Sequence, residues 1–378
     1  MSRTRLSLLV VSTTLNTGGA QRFTSTLLQH LDRNQFSVEL ALLRDDIGYS
    51  LPEDVPVHLL GYRGLWELFR AAGKLRTVIE QTRPDVVLSN ITATNLFVGL
   101  ALNSTQYRPR WMARIGNNPR SHDSWLRKLF ARQIYPQVDG FVTNSTSLAN
   151  EFANYYNVPP RQVEVIANPT DFRAIDQLAA TFPEKTWAGN KPLLIAVGRL
   201  FPQKRYDILL DAFARIHQQI PAHLWICGEG PCRRSLERLI RKLRLTNHVE
   251  LLGFCHNPYT LMKQATMFVM SSDHEGLPNA LIEAQGLGLP AVSTDCPYGP
   301  SEIIDDGQTG YLTPVGSAPK FAEAVLSVLN DAECERRMTT AAKQRTRERF
   351  DVEKLTQCWQ NSLEAIVQKQ RGEARCVG

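Results

Sequence analysis

At 378 residues the chain is long for a single hydrophobic core, so two domains are the default. A content of 43% hydrophobic and 21% charged residues is that of an ordinary soluble globular protein and excludes disordered and fibrous classes. The net charge of +6 suits anionic ligands or a membrane surface and selects neither.

Short apolar runs alternate with amphipathic segments along the chain. Arg3 and Arg5 precede LSLLVV, a run too short for a signal peptide that ends in STTLNTGG without a cleavage site. Leu6–Val11 therefore reads as a first buried strand. Further strands are expected at Ser37–Leu43, Asp85–Leu88, Arg110–Ile115 and Gly140–Thr143. After a break they resume at Leu193–Val197, Leu224–Cys227, Val249–Leu252, Met267–Met270 and Ala291–Thr294. Helical patterns lie between them at Gly64–Glu80, Arg205–Gln219, Cys232–Leu245 and Lys320–Leu329. This alternation predicts an α/β protein whose parallel sheets are covered by helices on both faces. Two successive series predict two such domains, each with its ligand edge at the strand carboxyl ends.

The break centres on IANPTDF and the turn-rich TFPEKTWAGNKP. It sets the boundaries at 1–167 for the first domain, 168–191 for a linker and 192–351 for the second domain. A terminal helical stretch follows at 352–378, and whether it returns to the first domain is left open. No run approaches the ~20 apolar residues of a membrane-spanning helix. The seven cysteines are odd in number, scattered and never spaced CxxC. That argues against a disulfide framework or a zinc site and favours a reducing cytosol.

The most informative stretch is SSDHEGLPNALIE, residues 271–283. Glu275 lies in the loop leaving an apolar run, Pro278 suits a helix start, and Glu283 falls about one turn into that helix. Helix-end N–H groups at the carboxyl end of a strand stabilise an anionic ligand. Two carboxylates flanking such a turn can grip opposite ends of one phosphate-bearing ligand, which fits a nucleotide sugar. Upstream, AVGRLFPQKRYDILLDAF places Gly198 and Arg199 after a strand and Lys204 and Arg205 before a helix. Two cations at the entrance of a strand–helix loop suit a diphosphate and offset the charge on a departing nucleotide.

Taken in order, Gly18–Gly19, Gly198–Arg199, Lys204, Gly228–Pro231, Gly253–Phe254, Glu275 with Glu283, and Gly299–Glu302 resemble the retaining glycosyltransferases of family four. The likeness spans nearly the whole chain and is strongest to bacterial enzymes building surface polysaccharides or lipid-linked oligosaccharides. It implies the GT-B fold, two Rossmann-like doubly wound parallel-sheet domains facing a central cleft. It also implies roles. Arg199 and Lys204 would bind the donor diphosphate, Glu275 would contact the transferred sugar, and Glu283 the ribose hydroxyls. The backbone of Gly276, Leu277, Pro278, Asn279 and Ala280 would meet sugar and phosphate. Gly18 and Gly19 would approach the donor phosphates and acceptor. Gly198 and Gly253 would border the donor, with Phe254 either a wall for the base or a core residue.

One departure from the family pattern is a first-domain histidine. The corresponding stretch reads ARIGNNPRSHDSW, so Asn117, Asn118 or His122 takes that place. No DxD occurs, so no metal and no other cofactor is expected, and the nucleotide sugar is a substrate. The resemblance implies front-face attack on a UDP-linked hexose or N-acetylhexosamine, with the donor phosphate taking the acceptor proton. Residues 108–132 carry Arg108, Arg110, Arg114, Arg120, Arg127, Lys128 and Arg132, interleaved with Trp125, Leu126, Leu129 and Phe130. Such a segment either lies on anionic lipid beside a polyprenyl-linked acceptor or packs its apolar face on the core. A cytoplasmic protein, peripheral on the inner membrane face, is the expectation, with no nucleic acid partner. Competing readings are a sugar-nucleotide epimerase of the same architecture and a non-catalytic nucleotide-sugar binding module.

Overall fold

The computed structural model describes residues 5–16, 18–122 and 125–375, without the side chains of residues 65, 121, 122, 126 and 369–375. It divides into two compact units, 1–169 with 352–378, and 170–351.

The first unit contains β1 (Leu6–Ser12), α1 (Gly19–His30), β2 (Phe36–Leu42), β3 (Val57–Leu59), α2 (Leu68–Thr82), β4 (Val86–Asn90) and α3 (Thr92–Leu102). It continues with β5 (Arg110–Ile115), α4 (Pro119–His122), α5 (Trp125–Ile134), β6 (Gly140–Thr143), α6 (Thr146–Tyr156) and β7 (Val163–Val165). The strands form one parallel sheet in the order β3-β2-β1-β4-β5-β6-β7. Central strands such as LSLLVVS and VVLSN are covered on both faces, which is why they read as near-continuous apolar runs. Register pairs Leu8 with Val38 and Val86, so the apolar rows continue across the sheet.

The second unit begins with α7 (Phe172–Ala179), which lies inside the stretch read as a linker. Asp171 caps this helix, and Phe172, Ile175 and Ala179 form its buried face, so a short one-sided pattern suffices once a cap is present. There follow β8 (Leu193–Val197), α8 (Tyr206–Gln219), β9 (His223–Cys227), α9 (Arg233–Lys242), β10 (Val249–Gly253), α10 (Tyr259–Met262) and β11 (Met267–Met270). Then come α11 (Asn279–Gly286), β12 (Ala291–Thr294), α12 (Pro300–Ile303), β13 (Gly310–Thr313), α13 (Ala318–Leu329) and α14 (Ala332–Phe350). The parallel order is β10-β9-β8-β11-β12-β13. Leu209, Leu210, Phe213 and Ile216 of α8 are fully buried against it, each worth about 1.5–3 kcal/mol of transfer free energy.

The last helix, α15 (Val352–Arg375), belongs to the first unit. Its Trp359 and Leu363 are completely buried, and the Trp359 ring lies 5.0 Å from that of Phe23 in α1. Gln360 accepts a hydrogen bond at 2.9 Å from the backbone N–H of Asp32.

Candidate active site

In the second unit the strand order reverses between β8 and β11, and that crevice is where doubly wound sheets take their ligands. The loops leaving those two strands carry Lys204 and Glu275. Lys204 Nζ donates to Glu275 Oε1 at 2.6 Å, and Ser272 Oγ donates to the same oxygen at 2.6 Å. Both charged side chains are mostly buried. The pair therefore spans the switch point as a desolvated ion pair in fixed geometry.

The surrounding loops are tied together. Ser271 Oγ donates to the carbonyls of Lys204 (2.8 Å) and Arg205 (2.9 Å), and the Asp273 N–H donates to the Gln203 carbonyl at 2.8 Å. Arg205 bonds Asp207 and Asp273, each at 3.0 Å, and so anchors the start of α8 to the β11 loop. Tyr206 donates its hydroxyl to the Gly198 carbonyl at 3.0 Å. Burial, and then the charge of Glu275, raises the Tyr206 phenol far above its ordinary value. The same two causes push the buried Cys296 thiol up to about 12. Both groups thus keep their protons beside the carboxylate.

Glycine is required where these loops touch. A side chain at Gly228 would begin 2.0 Å from the Gly198 carbonyl oxygen. At Gly299, with φ +101, it would begin 2.3 Å from the Gly276 carbonyl oxygen. Gly198 itself abuts Lys204, since a Cβ there would lie 3.2 Å from Lys204 Cε.

Glu283 is the fifth residue of α11 and is buried. It lies past the first turn, where caps and dipole contacts act, so neither accounts for this carboxylate. Pro278 precedes the helix without a side-chain cap, and Gly276 and Leu277 lead into it; Asn279 and Ala280 are its first two residues. Arg199 is exposed, with its guanidinium 4.7 Å from the Phe201 ring centre, and among the described residues no carboxylate pairs with it. Gly253 ends β10. The next residue, Phe254, is 53% exposed with its ring edge-on to His256 at 4.9 Å, so it is not a core residue.

In the first unit Gly18 precedes α1 and Gly19 opens it. Asn118 accepts from the Arg120 N–H at 2.9 Å and so caps α4, while Asn117 is exposed. His122 ends α4, and its side chain lies outside the described residues. On α5, Ala131 and Ile134 face the core, whereas Trp125 (74% exposed), Leu129 and Phe130 face outward with Arg127 and Arg132. Trp66, just before α2, and Phe69, in its first turn, are also exposed. Arg114, one of the basic residues of 108–132, is buried. Ser272, Tyr206 and Cys296 were not singled out from sequence, and Arg114 was named only among the basic residues of 108–132, because their place in a site depends on burial and contact alone.

The chain matches the family described as "Glycosyl transferases group 1" over residues 179–345 and "Glycosyltransferase Family 4" over residues 17–173. It is 27% identical to the N-acetylgalactosamine-N,N'-diacetylbacillosaminyl-diphospho-undecaprenol 4-alpha-N-acetylgalactosaminyltransferase of Campylobacter jejuni, covering 90% of this chain and 94% of that protein. It is 26% identical to an amylovoran biosynthesis glycosyltransferase of Erwinia amylovora, covering 94% and 99%. Among solved structures, Anabaena HepE in complex with UDP and glucose superposes with a TM-score of 0.81 at 19% identity, covering 95% of this chain and 100% of that one. That likeness establishes two Rossmann-like units of the GT-B class.

Proposed function

We infer the reaction from the premise that the chain belongs to glycosyltransferase family four and is a glycosyltransferase. Within that activity, we propose transfer of a hexose or N-acetylhexosamine from a UDP-sugar, with retention, to a saccharide carried on a polyprenyl diphosphate. The observation that carries this reading is the Lys204–Glu275 pair at the switch point of the second unit, followed eight residues on by the buried Glu283. The UDP in the Anabaena complex and the diphospho-undecaprenol in the name of the Campylobacter relative support the donor and the acceptor class.

In this mechanism the bond from the sugar C1 to the β-phosphate oxygen breaks as the acceptor oxygen bonds C1 from the same face. The acceptor proton passes to the β-phosphate, and no covalent enzyme intermediate forms. Lys204 and the exposed Arg199 stabilise the charge on departing UDP. Glu275, oriented by Lys204 and Ser272, accepts from a sugar hydroxyl, and Glu283 accepts from the ribose. Backbone from Gly276 to Ala280 meets sugar and phosphate, and Phe254 lies against the base. These cations and the start of α11 supply the positive field, so no metal is invoked. Gly18 and Gly19, with Asn117, Asn118 or His122, serve the first-unit ligand.

Among the described residues no helix is long and apolar enough to cross a membrane. The outward Trp125, Leu129 and Phe130, flanked by arginines, suit peripheral contact with an anionic bilayer that presents the acceptor. Vesicles rich in phosphatidylglycerol should sediment the protein and neutral ones should not, with Trp125→Ala weakening the contact.

The test of the reaction is UDP release from UDP-glucose, UDP-galactose and their N-acetyl forms, with and without lipid-linked saccharides. Acceptor-dependent release from one donor, unchanged in excess EDTA, is expected. Release that ignores the acceptor, or that EDTA abolishes, contradicts the reading.

A further inference from the structure

Arg114 projects from β5 into the interior and is 2% exposed. Its Nη1 donates to Asn90 Oδ1 at 2.8 Å and its Nη2 to Asn168 Oδ1 at 2.6 Å. The guanidinium carbon lies 4.0 Å from the centre of the Phe23 ring. All these partners are neutral, and among the described residues no carboxylate pairs with Arg114. Burial lowers its pKa to about 9, so it stays charged at neutral pH. A buried cation held only by amides is a costly way to fill space, and an apolar side chain of similar volume is often as stable or more so. The fold alone gives no reason for the charge.

Its place supplies one. The strand order of the first unit reverses between β1 and β4, so the ligand crevice of that sheet lies there. Asn90 ends β4 and spans this point, with its Nδ2 donating to the Ala20 carbonyl at 2.8 Å and to Thr24 Oγ1 at 3.0 Å in α1. The next residue, Ile91, holds φ +75, a conformation that costs a β-branched residue about 1–3 kcal/mol. The Nε–H of Arg114 itself, buried with the rest of the side chain, has no hydrogen-bond partner among the described residues. Helix α1 starts behind Gly18 with no side-chain cap and no acid in its first turn. An uncompensated cation with an unpaired N–H, and uncapped helix amides, at one sheet edge fit an anion.

We propose that Arg114 is a charged positioning residue of the transferase, holding the switch point of the first unit for a phosphate group at the Gly18–Gly19 loop. The proposal rests on the transferase reading above, and the phosphate belongs to the diphosphate of either the donor or the acceptor.

Three variants test it: Arg114→Met, Arg114→Lys and Asn168→Asp. The last places a carboxylate of unchanged shape on the guanidinium and cancels its charge without opening a cavity. In Asn168→Asp and Arg114→Met the KM for one phosphate-bearing substrate should rise about tenfold, with kcat changed less. The Asn168→Asp melting temperature should stay at or above that of the wild type, and Arg114→Lys should recover most of the binding. A rise confined to the donor KM assigns the phosphate to the donor, and one confined to the acceptor KM assigns it to the acceptor. Both KM values within twofold of wild type in Asn168→Asp overturn the proposal, as do losses that merely track melting temperature across the series. If Arg114→Met does not fold, Asn168→Asp decides alone. Should the wild type transfer no sugar, the transferase reading fails separately. Inorganic pyrophosphate then decides the role of Arg114, by raising the melting temperature of the wild type more than that of Asn168→Asp, or by failing to.

Discussion

Lys204 and Glu275 are each other's counter-ion, so removing one member has two separable consequences. In Lys204→Ala the loss of a leaving-group cation should lower kcat by about 10²–10³-fold. The same change leaves Glu275 mostly buried without its cation, which should cost about 1–3 kcal/mol of stability. Adding Glu275→Ala should restore much of the stability while turnover stays low, because the buried charge is gone but the cation is still missing. Steady-state kinetics with thermal melts on the single and double variants check this, and recovery of turnover in the double variant removes Lys204 from the chemistry. Gly228→Ala is a steric test of the same loops. Its Cβ would meet the Gly198 carbonyl oxygen at 2.0 Å, so the loops after β8 and β9 must separate. UDP affinity should fall more than tenfold by calorimetric titration, together with the melting temperature. Glu275, Glu283 and Lys204 stood out in the sequence because charged residues in the loops and helix starts that follow apolar runs are chemically conspicuous there. Arg114 and Cys296 did not, since nothing local distinguishes a buried arginine from a solvated one, or an active-site thiol from a core one.

At the scale of elements, the strands that sequence periodicity located are all the interior ones, covered on both faces, and one edge strand, β10. Leu193–Val197 and Met267–Met270 match residue for residue. Those it passed over, β3, β7 and β13, are all sheet edges of three or four residues with few buried positions. An edge strand is held mainly by its one neighbour's backbone, so its side chains carry little apolar signal. The amino ends of β9 and β10 bear a histidine cluster that the sequence left unremarked. The His217 and His248 ring centres lie 3.9 Å apart, and those of His223 and His248 5.3 Å apart. Burial, then the neighbouring histidines and Lys191, hold His223 and His248 below the ordinary 6.5. The unfolded chain therefore binds protons near pH 6.5 that the folded unit refuses. Their contribution is fully present above pH 6.5 and is lost as pH falls toward the depressed folded values. The melting temperature should drop between pH 7.5 and 5.5, and His248→Gln should flatten that slope. An unchanged slope in the variant assigns the acid sensitivity elsewhere.

At the scale of the whole molecule, the second unit is one continuous segment and the first is completed by α15. Two strand–helix series and a turn-rich break made two domains legible, but the return of 352–375 was not, because an amphipathic helix does not name the surface it covers. The ends of the second unit lie side by side: the Thr170 N–H donates to the Phe350 carbonyl at 3.0 Å, and Thr170 bridges Asp351. The chain thus enters and leaves this unit at one point, the geometry of an inserted domain, which tolerates excision. Its core is contributed wholly from within, by residues such as Phe213, Met267 and Phe321. The proposed donor residues Arg199, Lys204, Glu275 and Glu283 also all fall inside it. Residues 170–351 expressed alone should therefore melt cooperatively and bind UDP within about tenfold of the full-chain Kd, while transferring no sugar. The complementary protein, with Pro169 joined to Val352 by a short glycine linker, should fold around Trp359 and show no affinity for UDP attributable to the deleted loops. A folded 170–351 that ignores UDP, beside a full chain that binds it, would place essential donor contacts outside the second unit and overturn the assignment of the donor to these four residues.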